Sequence, residues 1–373
     1  MITIGIDART YFFRSGLGRY CRNILHAILN ESKESRFVVW LSNQKTAAAF
    51  PPHSGSSMEI RISQASFGDL CAERGLFCSE INESPVNVFF SPYSPVPSGA
   101  RVPRVLTIHD LTAFKYPELH LESTVQYLKE ALPESLEGGI TLVADSRQTA
   151  SDLAEVFPLA TPRISVIPLG VEDRFFSDMN AEEISGVLAR YGLKSRQYLL
   201  FLGNLESRKN LPRTARAYAG SSLCGRIPLV LAGAPRWGSD ELLRQIEECH
   251  LQSHVRILNY IPEEDLPALY RGALFFVYAS LYEGFGLPVL EAMASGTAVL
   301  VSNASSLPEV AGESALYVNP WDTEEIRAGM ERLFGDASLR EELAARGISR
   351  ARHFTWQRAG QDLLRILIEA AGH

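Results

Sequence analysis

The stretch LFFVYASLYEGFGLPVLEAMASGTAVLVS, residues 274–302, decides the fold. Its two ends, Leu274–Tyr278 and Ala298–Ser302, are short runs of aliphatic and aromatic residues that are typical of buried strands. Between them the glycines of GFG permit a tight loop, Pro288 suits the first position of a helix, and Gly296 suits the position just after its end. A strand, a helix and a strand in this order predict a βαβ unit with two parallel strands.

The alternation of strands and helices continues along the whole chain. The predicted strands form two sets, Ile2–Asp7, Phe37–Ser42, Val86–Phe90, Val105–Ile108, Thr141–Ala144 and Ile164–Ile167, then Tyr198–Leu202, Leu229–Ala232, Val255–Ile257, Leu274–Tyr278, Ala298–Ser302 and Ala315–Val318. Helices are predicted over residues 121–136 and, with Ser146 as N-cap, as far as Val156. Residues 168–192 lose strand periodicity and predict the link between two domains.

Two such sets predict an α/β protein of two Rossmann-like, doubly wound domains that face each other across a cleft. Ligands bind in these folds at the carboxyl ends of the strands, so the functional residues are expected in the loops that follow strands. A length of 373 residues agrees with two hydrophobic cores.

Composition restricts the possible partners and the compartment. The net charge is −7, and basic residues are scattered among acidic ones, which argues against a nucleic-acid partner. The five cysteines form no CxxC pair or Cys/His cluster, so we interpret them as buried thiols in a reducing cytoplasm and expect no metal site. The first residues show no signal peptide, and no apolar run is long enough to span a membrane.

Two glycine-containing segments are candidate phosphate sites. Gly16 and Gly18 follow the first predicted strand, where backbone amides at a helix start could approach an anion, although a plain tight turn is the alternative. Gly203 ends a strand of the second half, and Arg208 and Lys209 follow it just before a helix. A planar guanidinium beside a mobile ammonium suits a diphosphate, and the alternative is a solvated basic turn.

The segment from Glu283 to Glu291 is the most specific feature of the chain. We expect Glu291 in the first helical turn and Glu283 in the loop before it, so that both carboxylates face the cleft and can accept hydrogen bonds from sugar hydroxyls. Amides at the helix start can bind phosphate. A glutamate that stabilises the helix dipole is the alternative explanation of Glu291, but it does not explain Glu283 or the glycines.

These residues resemble the retaining glycosyltransferases of family 4, the glycosyl transferases group 1, which have the GT-B fold. Two glutamates separated by seven residues around a GFGLP core are the hallmark of that family, and Glu283 and Glu291 have this spacing. Within the family the chain looks most like bacterial mannosyltransferases of polysaccharide biosynthesis, because of HDLTAFKYPE at residues 109–118. The resemblance covers nearly the whole chain and includes Gly16–Tyr20, Thr107–Asp110, Pro168–Val171, Arg208–Asn210, Leu231–Gly233, Ser306–Val310 and Phe354–Trp356.

The resemblance implies domain bounds and a set of site residues. Residues 1–170 would form the acceptor domain, residues 171–355 the donor domain, and a C-terminal helix over 356–373 would cross back onto the first domain. The residues expected to be catalytic are His109, Arg208, Lys209 and Glu283. Those expected to bind the donor are Gly16, Gly203, Arg208, Lys209, Tyr260, Glu283, Phe285, Gly286, Leu287 and Glu291. His109 could equally be a hydrogen-bonded residue at a strand end, and Tyr260 could serve helix packing instead of the base.

The implied reaction moves a sugar from a nucleotide donor to a hydroxyl of a glycan or lipid-linked saccharide, with no metal or other cofactor. GDP-mannose is the expected donor and a UDP-sugar the runner-up. An epimerase or phosphorylase of the same fold competes with this interpretation, as does a sugar-binding protein without activity. Acceptor recognition is expected from the loops 92–101 and 114–120, and the enzyme is expected in the cytoplasm, with possible peripheral contact at the inner face of a membrane.

Overall fold

The computed structural model describes residues 2–32, 34–51, 57–93 and 95–372. The chain divides into two compact units, residues 1–170 with 355–373 and residues 171–354. Ser94 in the expected acceptor loop and His373 at the end of the expected C-terminal helix lie outside the described residues.

The first unit contains a seven-stranded parallel sheet with strands in the order β3-β2-β1-β4-β5-β6-β7. These strands are β1 (Thr3–Asp7), β2 (Arg36–Leu41), β3 (Ser57–Ile62), β4 (Val88–Ser91), β5 (Arg104–Ile108), β6 (Thr141–Ala144) and β7 (Ile164–Val166). The helices are α1 (Gly16–Glu31), α2 (Gln44–Ala49), α3 (Leu70–Ala72), α4 (Cys78–Asn82), α5 (Thr112–Lys115), α6 (Glu122–Ser135) and α7 (Arg147–Val156), with a π-helical turn at Glu73–Phe77.

The second unit contains a six-stranded parallel sheet in the order β10-β9-β8-β11-β12-β13. Its strands are β8 (Leu199–Leu202), β9 (Leu229–Ala232), β10 (Val255–Leu258), β11 (Phe275–Tyr278), β12 (Val299–Ser302) and β13 (Leu316–Val318). Its helices are α8 (Ala181–Arg190), α9 (Leu211–Ala219), α10 (Ser239–Glu248), α11 (Leu266–Gly272), α12 (Leu287–Ala294), α13 (Leu307–Ala311), α14 (Thr323–Gly335) and α15 (Ala337–Ala351), and α16 (Trp356–Ala370) belongs to the first unit.

Burial on both faces explains why the central strands read as continuous apolar runs. Every residue of β4, β9, β11 and β12 is buried, as expected for parallel strands that are covered by helices on both sides. Helix α16 packs against α1, and the approach is close enough that a Cβ added to Gly360 would lie 2.6 Å from the Cβ of Ala27. The predicted fold class of two doubly wound, Rossmann-like domains is therefore confirmed.

Several local predictions need correction. Strand β3 was not predicted, because its sequence SMEIRI is charged and half-exposed at the sheet edge. Helix α12 begins at Leu287, so Pro288 occupies its second position and Glu291 lies in the second turn. The cysteines are free but not all buried, since Cys71 is exposed. The N-cap at Ser146 is confirmed, because its side chain accepts a hydrogen bond from the amide of Thr149.

Candidate active site

In the second unit, β8 and β11 are neighbours at the point where the strand order reverses. Loops that leave such a point in opposite directions open a crevice at the carboxyl edge of the sheet. Gly203 follows β8 with a φ of +147°, which favours glycine. The turn that carries the two cations is fixed by the Asn210 amide, which donates to the carbonyls of Ala279 (2.9 Å) and Pro320 (2.7 Å).

Five side chains meet in a network at this edge. The Glu283 carboxylate accepts from Lys209 Nζ at 2.7 Å through Oε1 and from an Arg208 guanidinium nitrogen at 2.9 Å through Oε2. Lys209 Nζ also donates to the Tyr278 hydroxyl at 2.7 Å, and Arg208 Nε lies 2.8 Å from a Glu206 carboxylate oxygen. Lys209 is only 5% exposed, so the solvated basic turn that the sequence left open is excluded for this residue.

Burial and charge act in opposite directions on this network. Burial alone would raise the pKa of Glu283, but the Lys209 and Arg208 cations outweigh it and hold that pKa below its usual range. Burial and the neighbouring Arg208 lower the pKa of Lys209, against the attraction of Glu283. The ionised carboxylate and the two cations therefore depend on one another, and removal of either sign would leave a buried charge without compensation.

Two serines hold the loop that carries Glu283. The amide of Glu283 donates to the Ser305 hydroxyl at 2.8 Å. The Ser306 hydroxyl lies within hydrogen-bonding distance of the carbonyls of Glu283 (2.9 Å) and Phe285 (2.7 Å). The carboxylate therefore stands on a backbone that is fixed at both sides.

The second glutamate is held by a different partner. Gly286 is the N-cap of α12 with a φ of +114°, a conformation that suits glycine. Glu291 is buried on this helix, and its Oε2 accepts from the Tyr270 hydroxyl at 2.9 Å. Leu287 and Pro288 at the helix start remain partly exposed, so this end of the helix is accessible while the Glu291 side chain is not.

In the first unit, His109 follows β5 and makes a hydrogen bond through each ring nitrogen. Nδ1 lies 2.6 Å from an Asp145 carboxylate oxygen, and Nε2 lies 2.9 Å from the Pro92 carbonyl. Two acceptors beside the ring favour the form in which both nitrogens carry a proton. Burial opposes this charge, but Asp145 overcomes it and raises the pKa of His109. The His109 carbonyl also accepts from the Thr149 hydroxyl, at 3.1 Å.

The remaining predicted residues are distributed over both units. Gly16 is the first residue of α1, and the Ser15 side chain is its N-cap. A Cβ added to Gly16 would meet nothing within 4 Å, whereas one added to Gly18 would lie 2.0 Å from the Phe13 carbonyl oxygen. Gly18 is thus required by packing and Gly16 is not. Tyr260 follows β10 and is 47% exposed, which argues against a role in helix packing.

Comparison with known proteins identifies the family. Residues 189–350 match the family model described as glycosyl transferases group 1. The O-antigen chain mannosyltransferase B of Escherichia coli is 37% identical over 255 residues, which is 68% of this chain and 67% of that protein. The chain belongs to the glycosyl transferases group 1. It is therefore a glycosyltransferase.

Two further relatives of this glycosyltransferase differ in length and in similarity. The serotype-specific mannosyltransferase WbdA of Escherichia coli is 32% identical over 68% of the chain, but the chain spans only 32% of WbdA. Anabaena HepE, in its crystal structure with UDP and glucose, has a TM-score of 0.78 at 16% identity, covering 99% of this chain and 100% of that one. The latter likeness supports the GT-B fold alone.

Neither a membrane span nor a metal cluster is found among the described residues. Within residues 2–32, 34–51, 57–93 and 95–372 of the glycosyltransferase, no helix is long and apolar enough to cross a membrane. Over the same ranges, no group of three or more His, Cys, Asp or Glu side chains could hold a metal ion.

Sequence reasoning missed several residues that shape the site of this glycosyltransferase. Tyr278 ends an apolar strand and so resembles an ordinary core residue. Glu206 precedes the two cations, but no pattern in the sequence distinguishes it from a surface glutamate. Asp145 and Ser305 carry no signal of their own, since each meets its partner only through the fold. The position of Asp145 directly after a strand was the one clue that a sequence could offer.

Proposed function

We propose that this glycosyltransferase moves mannose from GDP-mannose to a hydroxyl of a glycan or lipid-linked saccharide, with retention of the anomeric configuration. The observation that carries the proposal is the buried network of Glu283 with Lys209 and Arg208, beside the glycine at the end of β8. Relatives that are named as mannosyltransferases support mannose as the sugar.

The two cations are suited to the departing diphosphate. Transfer leaves negative charge on the nucleotide as the bond to the sugar breaks. Lys209 and Arg208 lie on a turn that the Asn210 amide fixes, so they need little reorganisation to stabilise this charge when the diphosphate replaces Glu283. In a site from which water is largely excluded, such fixed charges are worth more than in water. They supply the electrostatic stabilisation in our proposal, which includes no metal.

The other donor groups follow from the same arrangement. The diphosphate takes the place of Glu283 at the two cations, and the released carboxylate accepts hydrogen bonds from the sugar hydroxyls. Glu291 binds the ribose after a rotation that gives up its Tyr270 contact.

The amides of Phe285, Gly286 and Leu287 approach the sugar or phosphate. Gly203, which follows β8, leaves room for the phosphates, and so does Gly16 at the start of α1. Tyr260, which follows β10, contacts the base.

Retention requires the incoming hydroxyl to attack from the face that the phosphate leaves. We assign no carboxylate nucleophile, because Glu283 is held by two cations and Asp145 by His109. The substitution passes through an oxocarbenium-like state, and the leaving phosphate accepts the proton of the attacking hydroxyl. Asp145 raises the pKa of His109, so in our proposal this ring, at the acceptor side of the reaction, stabilises negative charge in its protonated form rather than acting as a base.

The proposal for the donor base and the acceptor draws on the relatives and on the first unit. A UDP-sugar is the second candidate donor, because HepE binds UDP and glucose on the same fold. The acceptor loops at 92–101 and 114–120 belong to the first unit. A lipid-linked acceptor would bring the enzyme to the inner face of a membrane by peripheral contact.

A nucleotide-release panel tests the proposal. Purified protein is incubated with GDP-mannose, UDP-glucose and UDP-galactose, with and without mannose-containing oligosaccharide acceptors, and the released nucleotide is measured. Acceptor-dependent release of GDP is the expected result, and Arg208→Ala and Lys209→Ala should each slow it strongly. The matched control is Arg216→Ala, a cation in the following helix α9 whose guanidinium donates to Gln245 and contacts none of the network residues. Release of UDP without GDP would favour the second donor, and release without an acceptor would favour a different chemistry.

A further inference from the structure

A row of aromatic rings lies at the carboxyl edge of the sheet in the first unit. The Phe13 and Phe67 rings meet edge to face at 5.6 Å, Phe67 lies 5.8 Å from Tyr93, and Tyr93 stacks on the His109 ring at 6.3 Å with an interplanar angle of 19°. These rings follow β1, β3, β4 and β5, and the strand order of this sheet reverses between β1 and β4. Ligands bind at such points in doubly wound folds.

A buried charged group supports the middle of the row. The Arg9 guanidinium lies under Phe67 at 5.3 Å and over Phe77 at 3.6 Å. It donates to both carboxylate oxygens of Asp7 (2.9 and 2.8 Å) and to Glu73 at 2.9 Å. Arg9, Asp7 and Glu73 are almost completely buried, so they cannot contact an acceptor themselves. Their effect is to fix the ring of Phe67.

The outer end of the row is exposed and yet held in place. Phe13 is 40% exposed. Its carbonyl oxygen packs against the first turn of α1 at Gly18, where a Cβ would lie only 2.0 Å from that oxygen. Its neighbour Phe12 is similarly exposed, at 37%, but its ring packs on Tyr11 and lies outside the row. A large apolar ring that is fixed and exposed loses little entropy when it binds a ligand.

We infer that Phe13, Phe67 and Tyr93 form a platform for a saccharide chain, which leads the acceptor toward His109. This inference rests on the proposed function and adds the residues and the ligand chemistry of its acceptor side. The faces of a pyranose carry polarised C–H groups, which the negative faces of aromatic rings attract, while the Tyr93 hydroxyl supplies a polar contact at the inner end. Several rings in series fit several sugar units better than a single monosaccharide.

A saccharide fits these observations better than a lipid surface. The row leads inward, from exposed Phe13 to half-buried Phe67 and Tyr93 and then to the His109 ring, which contacts the Asp145 carboxylate. A membrane anchor would instead project its apolar side chains outward from a basic face. A lipid bilayer could reach Phe13 and Phe12 equally. A saccharide chain that lies along the row would contact Phe13 but not Phe12.

Calorimetric binding of saccharides, without any donor, tests the inference independently of catalysis. The probes are mannose and linear mannose oligosaccharides of increasing length, and vesicles of phosphatidylethanolamine and phosphatidylglycerol. Affinity should rise with chain length in the unmodified protein. Phe13→Ala should weaken binding of the longer oligosaccharides about five- to tenfold, and Phe13→Trp should restore it. The matched control, Phe12→Ala, should bind them within about twofold of the unmodified protein, since its ring lies outside the row.

The outcomes separate this inference from the proposed function. Equal oligosaccharide affinity of Phe13→Ala and Phe12→Ala, or no dependence on chain length in the unmodified protein, would overturn the platform. If the unmodified protein binds vesicles, and Phe13→Ala and Phe12→Ala both lose this binding while their oligosaccharide affinity is unchanged, the platform is overturned in favour of a membrane contact. Phe67→Leu gives a second test from the interior of the row, with its fold checked by thermal unfolding. Failure of the donor panel with length-dependent saccharide binding would refute the proposed donor chemistry but leave the platform intact.

Discussion

Replacing Glu283 with glutamine should tighten the binding of GDP. This carboxylate contacts the two cations that our proposal assigns to the diphosphate, at 2.7 and 2.9 Å. A hydrogen bond to a charged group contributes about 1.5–3 kcal/mol, and the diphosphate must replace both of them. Glutamine keeps the shape and removes the competing charge. If one such contact no longer has to be exchanged, GDP should bind roughly ten- to a hundredfold more tightly.

The sign of this effect depends on the charge of Lys209. Burial and Arg208 already lower the pKa of Lys209, and loss of the Glu283 carboxylate lowers it further. The ammonium is therefore retained best at acidic pH, and the gain in GDP affinity should shrink as the pH rises. Isothermal titration calorimetry with GDP across a pH series measures both effects.

The comparison with GDP-mannose and with a second carboxylate completes the experiment. Glu283→Gln should lose most of its preference for GDP-mannose over GDP, because the carboxylate that holds the sugar is gone. Glu206→Gln removes a carboxylate 2.8 Å from Arg208, so it should raise GDP affinity moderately and keep that preference. Weaker GDP binding by Glu283→Gln at every pH would refute the exchange of partners.

Three further predictions concern the supporting residues. Tyr270→Phe removes the 2.9 Å hydrogen bond to the buried carboxylate on α12, so it should destabilise the protein by about 1–3 kcal/mol in urea unfolding and change the KM for the donor. Tyr198→Phe, which loses a 2.6 Å bond to a backbone carbonyl, should change stability alone, and a matching change in KM would count against our assignment. Gly18→Ala should lower stability by about 1–3 kcal/mol through the 2.0 Å backbone clash, whereas Gly16→Ala should keep the Tm and weaken donor binding; the opposite order would contradict the packing argument. The pKa of His109 is raised, so this residue contributes stability that is complete below its ordinary pKa of 6.5 and is lost as the pH rises through the raised value. His109→Gln should therefore flatten the pH dependence of the free energy of unfolding in that window. The control variant at the exposed His353, His353→Asn, should leave that pH dependence unchanged.

The sequence predicted the elements that depend on local pattern. Buried parallel strands such as β9 and β11 are continuous apolar runs, and turn residues such as Gly296 mark the ends of helices, so order and fold class followed directly. Strand β3 escaped because an edge strand needs little apolar surface and its polar residues resemble a loop. The one-residue shift at α12 moved Glu291 from the first turn to the second, where it meets Tyr270 rather than the helix start.

The candidate site was predicted in its residues but not in its contacts. The signature spacing identified Glu283, and the basic pair identified Arg208 and Lys209, but 74 residues separate Glu283 from Lys209. Their pairing depends on β8 and β11 being neighbours, which is a property of the sheet and not of either segment. The same holds for His109 and Asp145, which are 36 residues apart. Tertiary contacts of this kind also exclude the alternative of a solvated basic turn for Lys209, which is buried.

The most direct test of our account is the product of a reaction with GDP-mannose, in which the mannose is α-linked, and a mannose oligosaccharide acceptor. Nuclear magnetic resonance of the purified product gives both the identity of the added sugar and the configuration of the new bond. Our account predicts one added mannose in an α-linkage, formed at a rate that Lys209→Ala greatly reduces. A β-linked product, or no mannosylated product while a UDP-sugar is transferred, would contradict it.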